Sequence, residues 1–449
     1  MKTWIRAGAL LFLMAAPNSA FSQTLTIRLG TVAPADSPFY EVMNRMGQEW
    51  RRASNNTVQV QIFPGTLGDE SQMLAKVKLG QIQGVGMSGV GLARIAPGIG
   101  ALQLPMLVDS FDDLDRVRRG MEPRLRAEIE KAGYKVVNFS EVGWVHYFTK
   151  EKARTPSDIK KLRLFINADD SDSEKLYTDL GFKPVPLSVT DLLTSLKTGL
   201  IDAFDVPPLL ALSDQSFGLA KHMIDVRWAP LIGATVIDMR TWNRIPVPLR
   251  PEFERIAENA GESLRAKIRA SGDEAIAAMK KYGLTVETPS PSELAEWQSM
   301  AKTAREKLRE RGIVPAAEFD EALLLSIDPV SGSWSGDWGS SPTQRNRLRL
   351  DLKWDGAKVK GTLNASNLSP ADAPLQNSSF NAATGVLHVE AAVSSSASSA
   401  PVRYVIEGNV AAGKLSGSFT STPARGDVKL TKSAVTSPAP SAVNRGAVR

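Results

Sequence analysis

Cysteine is absent from all 449 residues. No disulfide, thiol nucleophile or lipid-modified cysteine is available, so the fold must rest on its apolar core. Histidine is almost absent too. His146, His222 and His388 are the full set, and none stands at ligand spacing from another histidine or a carboxylate, which argues against a zinc centre. No G-x-S-x-G elbow, phosphate loop or G-x-G-x-x-G follows a strand-like run. With no nucleophile–base pair to assemble, the sequence predicts no catalytic residue, no metal and no cofactor. Long apolar runs are missing as well: the N-terminal one falls short of the roughly 20 residues that span a bilayer. Charge of one sign is scarce. Lys and Arg number 54 against 48 Asp and Glu, interspersed along the chain, which reads as a solvated surface and not a nucleic-acid stripe.

What is present is an ordinary globular balance, 43% hydrophobic and 23% charged, on a chain long enough for two or three domains. Residues 1–22 read as a secretory signal. Lys2 and Arg6 form a positive start, Ala7 to Ala16 an apolar run, and Ala20-Phe21-Ser22 a small-x-small cleavage site before Gln23. Cleavage there leaves a periplasmic chain whose net charge drops from +6 to +4, because two cations go with the signal.

From residue 24 strand and helix signals alternate, which predicts an α/β fold. Leu25, Ile27 and Leu29 have strand period. Ser37-Pro38 is a helix cap followed by proline at the first helical position, and Val42, Met43, Met46 and Trp50 repeat at helix spacing. Asp69-Glu70, Ser110 and Thr190 open further helices. Strands are expected at 58–62, 134–139, 162–166, 201–204 and 231–239. Phe253, Ile256, Ala260, Leu264, Ile268, Ile276 and Met279 keep one helical face over 250–282, long enough to brace two lobes, with Gly272 as the expected bend. A last helix, carrying Trp297, closes at Gly312. Gly84-Val85-Gly86-Met87-Ser88-Gly89 reads either as backbone approaching a ligand at a strand end or as a tight turn. Asp169-Asp170 and Asp172 fit the acidic start of a helix better than a cation site.

After about residue 326 helical period disappears. Gly332-Ser333-Trp334-Ser335-Gly336-Asp337-Trp338 opens a series of short strands, at Leu348–Leu352, Val359–Leu363, Val386–Val389, Val402–Ile406 and Leu415–Phe419, separated by glycine turns. That is the grammar of an antiparallel sandwich or barrel. Residues 434–449 are low in complexity and expected to be a disordered tail.

Four segments, in order, resemble the TRAP-type periplasmic solute-binding proteins of the DctP family. Pro64-Gly65-Thr66-Leu67-Gly68-Asp69-Glu70 is similar to the family's P-G-x-L-G-x-E. Arg154-Thr155-Pro156-Ser157-Asp158-Ile159-Lys160-Lys161-Leu162 is similar to R-T-P-x-D-L-K-x-L. Val185-Pro186-Leu187 and Leu196-Lys197-Thr198-Gly199-Leu200-Ile201-Asp202-Ala203 resemble its P-hydrophobic and L-x-x-G-x-x-D-(G/A) segments. The resemblance covers about 24–325. It implies a two-lobed periplasmic binding protein fold with hinge and long brace helix over 23–326, joined here to an all-β sandwich or barrel over 327–433. It implies the capture of a small organic solute and its delivery to TRAP membrane permease subunits. A sensory binding protein and, less favoured, a periplasmic hydrolase are the alternatives. The β domain loosely resembles lipocalin-like modules; its partner is open. The two regions have separate hydrophobic patterns, so 23–326 is expected to fold alone.

The resemblance also shows departures. The family's carboxylate-pairing arginine falls on Phe165, a second arginine on Val145, and an asparagine before proline on Val206. Losing an arginine fork removes about 1.5–3 kcal/mol of carboxylate binding, so a solute more apolar or aromatic than C4-dicarboxylates is expected. Arg163, two residues from Phe165 on the same strand face, is a candidate replacement charge. The expected ligand-binding set is Trp144, Val145, His146, Arg163, Phe165, Asn167, Phe204, Val206, Trp228, Met87 and Ser88. Within it, Trp144, Phe165, Phe204 and Trp228 are read either as an aromatic pocket lining or as core.

Overall fold

A computed structural model describes residues 24–365, 372–393, 401–421 and 424–433. The expected signal segment and the expected tail lie outside the described residues.

The first lobe is built on β1 (Leu25–Thr31), α1 (Pro38–Ala53), β2 (Val58–Pro64), α2 (Glu70–Lys78), β3 (Gly84–Ser88), α3 (Gly89–Ala93), α4 (Phe111–Lys131) and β4 (Tyr134–Trp144). Ser37 and Ser110 cap α1 and α4 by accepting from Tyr40 N–H and Asp113 N–H. The chain then crosses to a second lobe: β5 (His146–Thr149), α5 (Pro156–Ile159), β6 (Arg163–Asn167), α6 (Ser171–Asp179), β7 (Lys183–Leu187), α7 (Leu192–Thr198), β8 (Ala203–Val206), α8 (Pro208–Ser213) and β9 (His222–Ile224). Thr190 lies in a short 3-10 turn (Val189–Asp191) instead of capping α7. The R-T-P-x-D stretch is a capping box: the Thr155 hydroxyl accepts from Asp158 N–H and the Asp158 carboxylate accepts back from Thr155 N–H. Its pattern is accounted for by helix initiation.

β10 (Pro230–Asp238) returns to the first lobe, followed by α9 (Met239–Arg244). The first sheet has order β2-β1-β3-β10-β4, with β10 antiparallel to both neighbours. The brace α10 (Arg250–Lys281) runs as one helix through Gly272, about 48 Å at 1.5 Å per residue. Its early turns, Phe253 to Ile268, join the first lobe's apolar cluster with Trp50 and Trp242, while Met279 joins the second lobe's cluster with Phe148 and Phe204. One helix is therefore core in both lobes. β11 (Thr285–Glu287) completes the second sheet, β11-β9-β5-β8-β6-β7. α11 (Pro291–Glu310) packs Trp297 against Tyr147 and Trp228. It is not the last helix. α12 (Ala316–Ser326), which sequence reading left out, returns to α4 and buries Phe319, Ala322 and Leu325.

The C-terminal region is a closed up-and-down barrel of eight antiparallel strands: β12 (Gly332–Ser341), β13 (Gln344–Trp354), β14 (Val359–Ala365), β15 (Ala373–Asn381), β16 (Val386–Val393), β17 (Val402–Ala411), β18 (Lys414–Ser421) and β19 (Arg425–Lys432). It is a barrel, not a sandwich, because β12 pairs with β19. Trp334, Trp338, Leu350, Trp354, Leu387, Leu415 and Phe419 are buried among its strands. The space between Trp338, Leu348, Leu363, Tyr404 and Phe419 is about 10 Å³, room for a water at most.

The barrel is seated on the first lobe. Arg119 pairs with Asp355 at 2.9 Å, and Gly356, at φ +92°, lies so close to α4 that a Cβ there would overlap the Arg116 carbonyl. The first lobe's core and the barrel's interior form one apolar cluster, joined through Leu325 and Val330. The two regions thus share an apolar contact, while the clusters of the second lobe and of α1 with α10 lie wholly within 23–326.

Candidate functional site

The parallel strands of each lobe end towards the same place. In the first lobe β1, β2 and β3 end at Thr31, Pro64 and Ser88; in the second β6, β7 and β8 end at Asn167, Leu187 and Val206. Loops at the carboxyl ends of parallel strands are where open α/β sheets bind ligands. Between the lobes lies a hinge of two antiparallel segments. Val145 N–H donates to Ala229 C=O at 2.9 Å and Trp228 N–H to Val145 C=O at 3.0 Å, with α10 as the third connection.

The structure brings Met87, Ser88, Trp144, Val145, His146, Asn167 and Val206 to these strand ends and the hinge. His146 is buried and neutral: burial pushes its imidazole down to about 4. Its Nδ1 lies 3.1 Å from Trp144 C=O, so Nδ1 carries the proton and Nε2 is an acceptor. Trp144 lies under the Arg227 guanidinium, 5.5 Å from its ring centre, and its indole N–H is buried without a partner.

Arg163, Phe165 and Phe204 lie elsewhere, and Trp228, whose backbone is in the hinge, turns its ring into the second lobe's core. Arg163 opens β6 at the opposite end from Asn167, half-exposed, and both guanidinium arms are spent on Asp202 at 2.7 Å each. It is not a replacement charge for the cleft. Phe165 and Phe204 are core in the second lobe, Phe204 stacked on Phe148 at 5.0 Å. Trp228 packs on the opposite face of that sheet with Tyr147 and Trp297. With Trp144 in the first lobe's cluster, the four aromatics fall in three separate cores and do not converge on one pocket. The glycine run is not a turn. Gly84 opens β3 and Gly86 lies within it, where a Cβ would press on the Val236 carbonyl or overlap the Phe39 ring.

Sequence reading missed the polar groups here. Glu70 is buried; it accepts from Ser88 N–H at 2.6 Å and Ser88 Oγ–H at 2.9 Å, and burial raises its pKa despite those bonds. Its place in the P-G-x-L-G-x-E segment was the signal available. In the second lobe Tyr177 Oη–H donates to Asp205 at 2.9 Å, and the Tyr147 and Tyr177 hydroxyls are 3.0 Å apart. When ionised, Asp205 can only accept, so the relay then runs Tyr147 to Tyr177 to Asp205. Burial pushes Asp205 up to about 7, with Asp170 adding to the rise. Among the described residues no group of three or more His, Asp or Glu is placed to hold a metal ion.

Residues 29–311 match the model of the bacterial extracellular solute-binding protein family 7, DctP. The chain belongs to this family. Its match to the C4-dicarboxylate-binding periplasmic protein DctP of Rhodobacter capsulatus is 20% identical over 311 residues, 68% of this chain and 92% of that one. The fold is that of TRAP periplasmic solute-binding proteins. One from Sulfurospirillum deleyianum, solved with succinate, superposes with a TM-score of 0.61 at 18% identity, covering 67% of this chain and 98% of that one. The sugar acid binding protein of Advenella mimigardefordensis, in complex with galactonate, gives 0.63 at 17% identity, covering 68% and 98%. The DctP family is one of solute-binding proteins and not of enzymes. The family match ends before α12, so the barrel lies outside it.

Proposed function

We propose that this chain is the exported solute-capture component of a TRAP-type transporter, closing its lobes on one small organic solute and presenting it to the membrane permease. The observation that carries the reading is the facing of two sets of strand ends across a two-strand hinge, on a segment that matches the family throughout. The positively charged, apolar N-terminal segment supports export.

On the solute, Phe165 and Val206, where the resemblance implies polar anchors, sit together in one apolar cluster, and Arg163 is engaged elsewhere. These placements favour a solute that does not depend on a buried arginine fork, hence one more apolar than a C4-diacid. Native mass spectrometry of protein purified from the periplasm without added ligand tests the function. One small molecule per chain, lost on denaturation, is expected. A bare mass, together with no thermal shift from diacids, aromatic acids or neutral aromatics, would refute solute capture. Stabilisation by succinate alone refutes the apolar preference.

A further inference from the structure

The start of α2 is wired unusually. Asp69 occupies its N-cap position, yet the carboxylate makes no bond to its own helix. It reaches into the second lobe and accepts from Ser188 Oγ–H at 3.0 Å. The first-turn N–H groups of a helix have no partner within it. One of them, Ser71 N–H, is met from the second lobe by Asp169 Oδ2 at 3.3 Å. Asp169 is free for this because α6 has another cap: Asp170 accepts from Ser173 N–H at 2.9 Å and from its hydroxyl at 2.6 Å. Arg94, just beyond α3, donates to Asp169 C=O at 2.5 Å and approaches its Oδ1 at 3.5 Å. Asp169 is itself held by its N–H donating to Asn167 Oδ1 at 3.0 Å.

We propose that these crossed contacts form a latch: Asp69 and Asp169 each cross the cleft, and together they bias the lobes towards the closed state. The proposal rests on the reading of two lobes that close over a solute. Opening strips α2 of its cap and separates Arg94 from Asp169. Water takes over those bonds in part, because Arg94 is 44% exposed. The bias is therefore modest, and a modest bias suits a cleft that must reopen. Glu70 ties the latch to the site. It follows Asp69 directly and grips Ser88, so a shift of the β3 end moves the start of α2. Asp69 and Asp169 are positioning residues and need not touch the solute.

Because the chain has no cysteine, nitroxide labels can be placed at Lys78→Cys and Lys175→Cys, both exposed and one on each lobe. Pulsed electron–electron distance measurement on the unliganded mature protein should show a short, closed component. Asp169→Arg, which sets a cation beside Arg94, should reduce that component about fivefold, roughly the 1 kcal/mol of a rim pair. The swap Arg94→Asp with Asp169→Arg should restore it in part, through the ion pair alone, because arginine has no acceptor for Ser71 N–H; a merely damaged fold would recover nothing. Asp169→Asn serves as the isosteric check and should reduce the component in the same direction. A parent with no short component, an Asp169→Arg distribution identical to the parent's, or a swap that recovers none of it overturns the latch. No solute is added, so a failure here is distinct from a failure of the transport reading.

Discussion

Arg116→Ala should show how far the barrel and the first lobe are one folding unit. Arg116 is on α4 and is 5% exposed. Its Nε donates to Leu325 C=O at 2.8 Å, its Nη2 to Ser326 C=O at 2.7 Å and to Asp113 at 2.5 Å, and its Nη1 lies 3.5 Å from Asp328. The two carbonyls end α12, where a helix has no donors of its own, and Asp328 sits in the link to β12. One side chain thus ties α4, α12 and the barrel's entry together. Truncation leaves Leu325 C=O buried without a donor, while Ser326 C=O and Asp113 regain water or keep Ser110. Two charge-assisted bonds at about 1.5–3 kcal/mol each, less what water returns, give a loss of about 3 kcal/mol. Urea unfolding followed by tryptophan fluorescence and by far-ultraviolet circular dichroism measures it. The parent should unfold lobe and barrel together, since they share one apolar cluster, and the variant should separate the two probes. A loss below about 1 kcal/mol with coincident transitions would show that the joint is carried by apolar contact alone and that the Arg116 reasoning is wrong.

Three further outcomes follow from the site. Asp205, raised to about 7 from an unfolded value near 3.8, binds more protons folded than unfolded between those values, so its contribution to stability falls as pH rises through that window. His146, lowered to about 4 from 6.5, acts with the opposite sign between pH 4 and 6.5, and the two largely offset; Asp205→Asn should therefore unmask a melting temperature that climbs from pH 4.5 to 6.5, and a flat profile in that variant would contradict the assignment. Phe165→Arg places an unpaired cation at a position 3% exposed within an apolar cluster, and chemical denaturation should show a loss of about 3 kcal/mol or more, not a gained carboxylate site. Arg163→Ala, whose pair with Asp202 is half-exposed and open to solvent screening, should leave the denaturation midpoint nearly unchanged and leave solute affinity, measured by calorimetry, unchanged.

The fold was legible wherever a local rule is strong. Ser37 with Pro38, Ser110, and the single apolar face of α10 each announce themselves within one or two turns of chain. What stayed hidden had weak local pattern. α12 is rich in alanine and leucine on several faces, and only its return to α4 decides which side is buried. β15 carries a proline, an irregular register between Gln376 and Ser379, and Asn377 at φ +42°, so its alternation is broken. β19 shows only Val428 and Leu430 inside, too short a rhythm to stand out. Both strands are nonetheless required, because closure needs β19 against β12 and β15 between β14 and β16.

The site divides along the same line. Strand ends can be placed from sequence, because a strand's direction and its following loop are local facts, and Met87, Ser88, Asn167 and Val206 do lie at or near the ends of β3, β6 and β8. Side-chain assignments depended on which face of a strand looks into a lobe's own core, and that is set by partners far away. Phe165 and Arg163 do alternate with Leu164 as expected, yet Phe165 is buried on Val206's side of the sheet while Arg163 emerges at its far end to meet Asp202. The cleft-spanning bonds had no local sign at all: Asp69 and Ser188 are 119 residues apart, and Ser71 and Asp169 are 98 apart. A carboxylate at a helix start is read as that helix's cap because the cap is the nearest partner. Here the nearest partner is declined at Asp69 and the far one taken, which only a second lobe facing α2 makes possible. The residues whose local rule is broken are therefore the ones that report on how the two lobes meet.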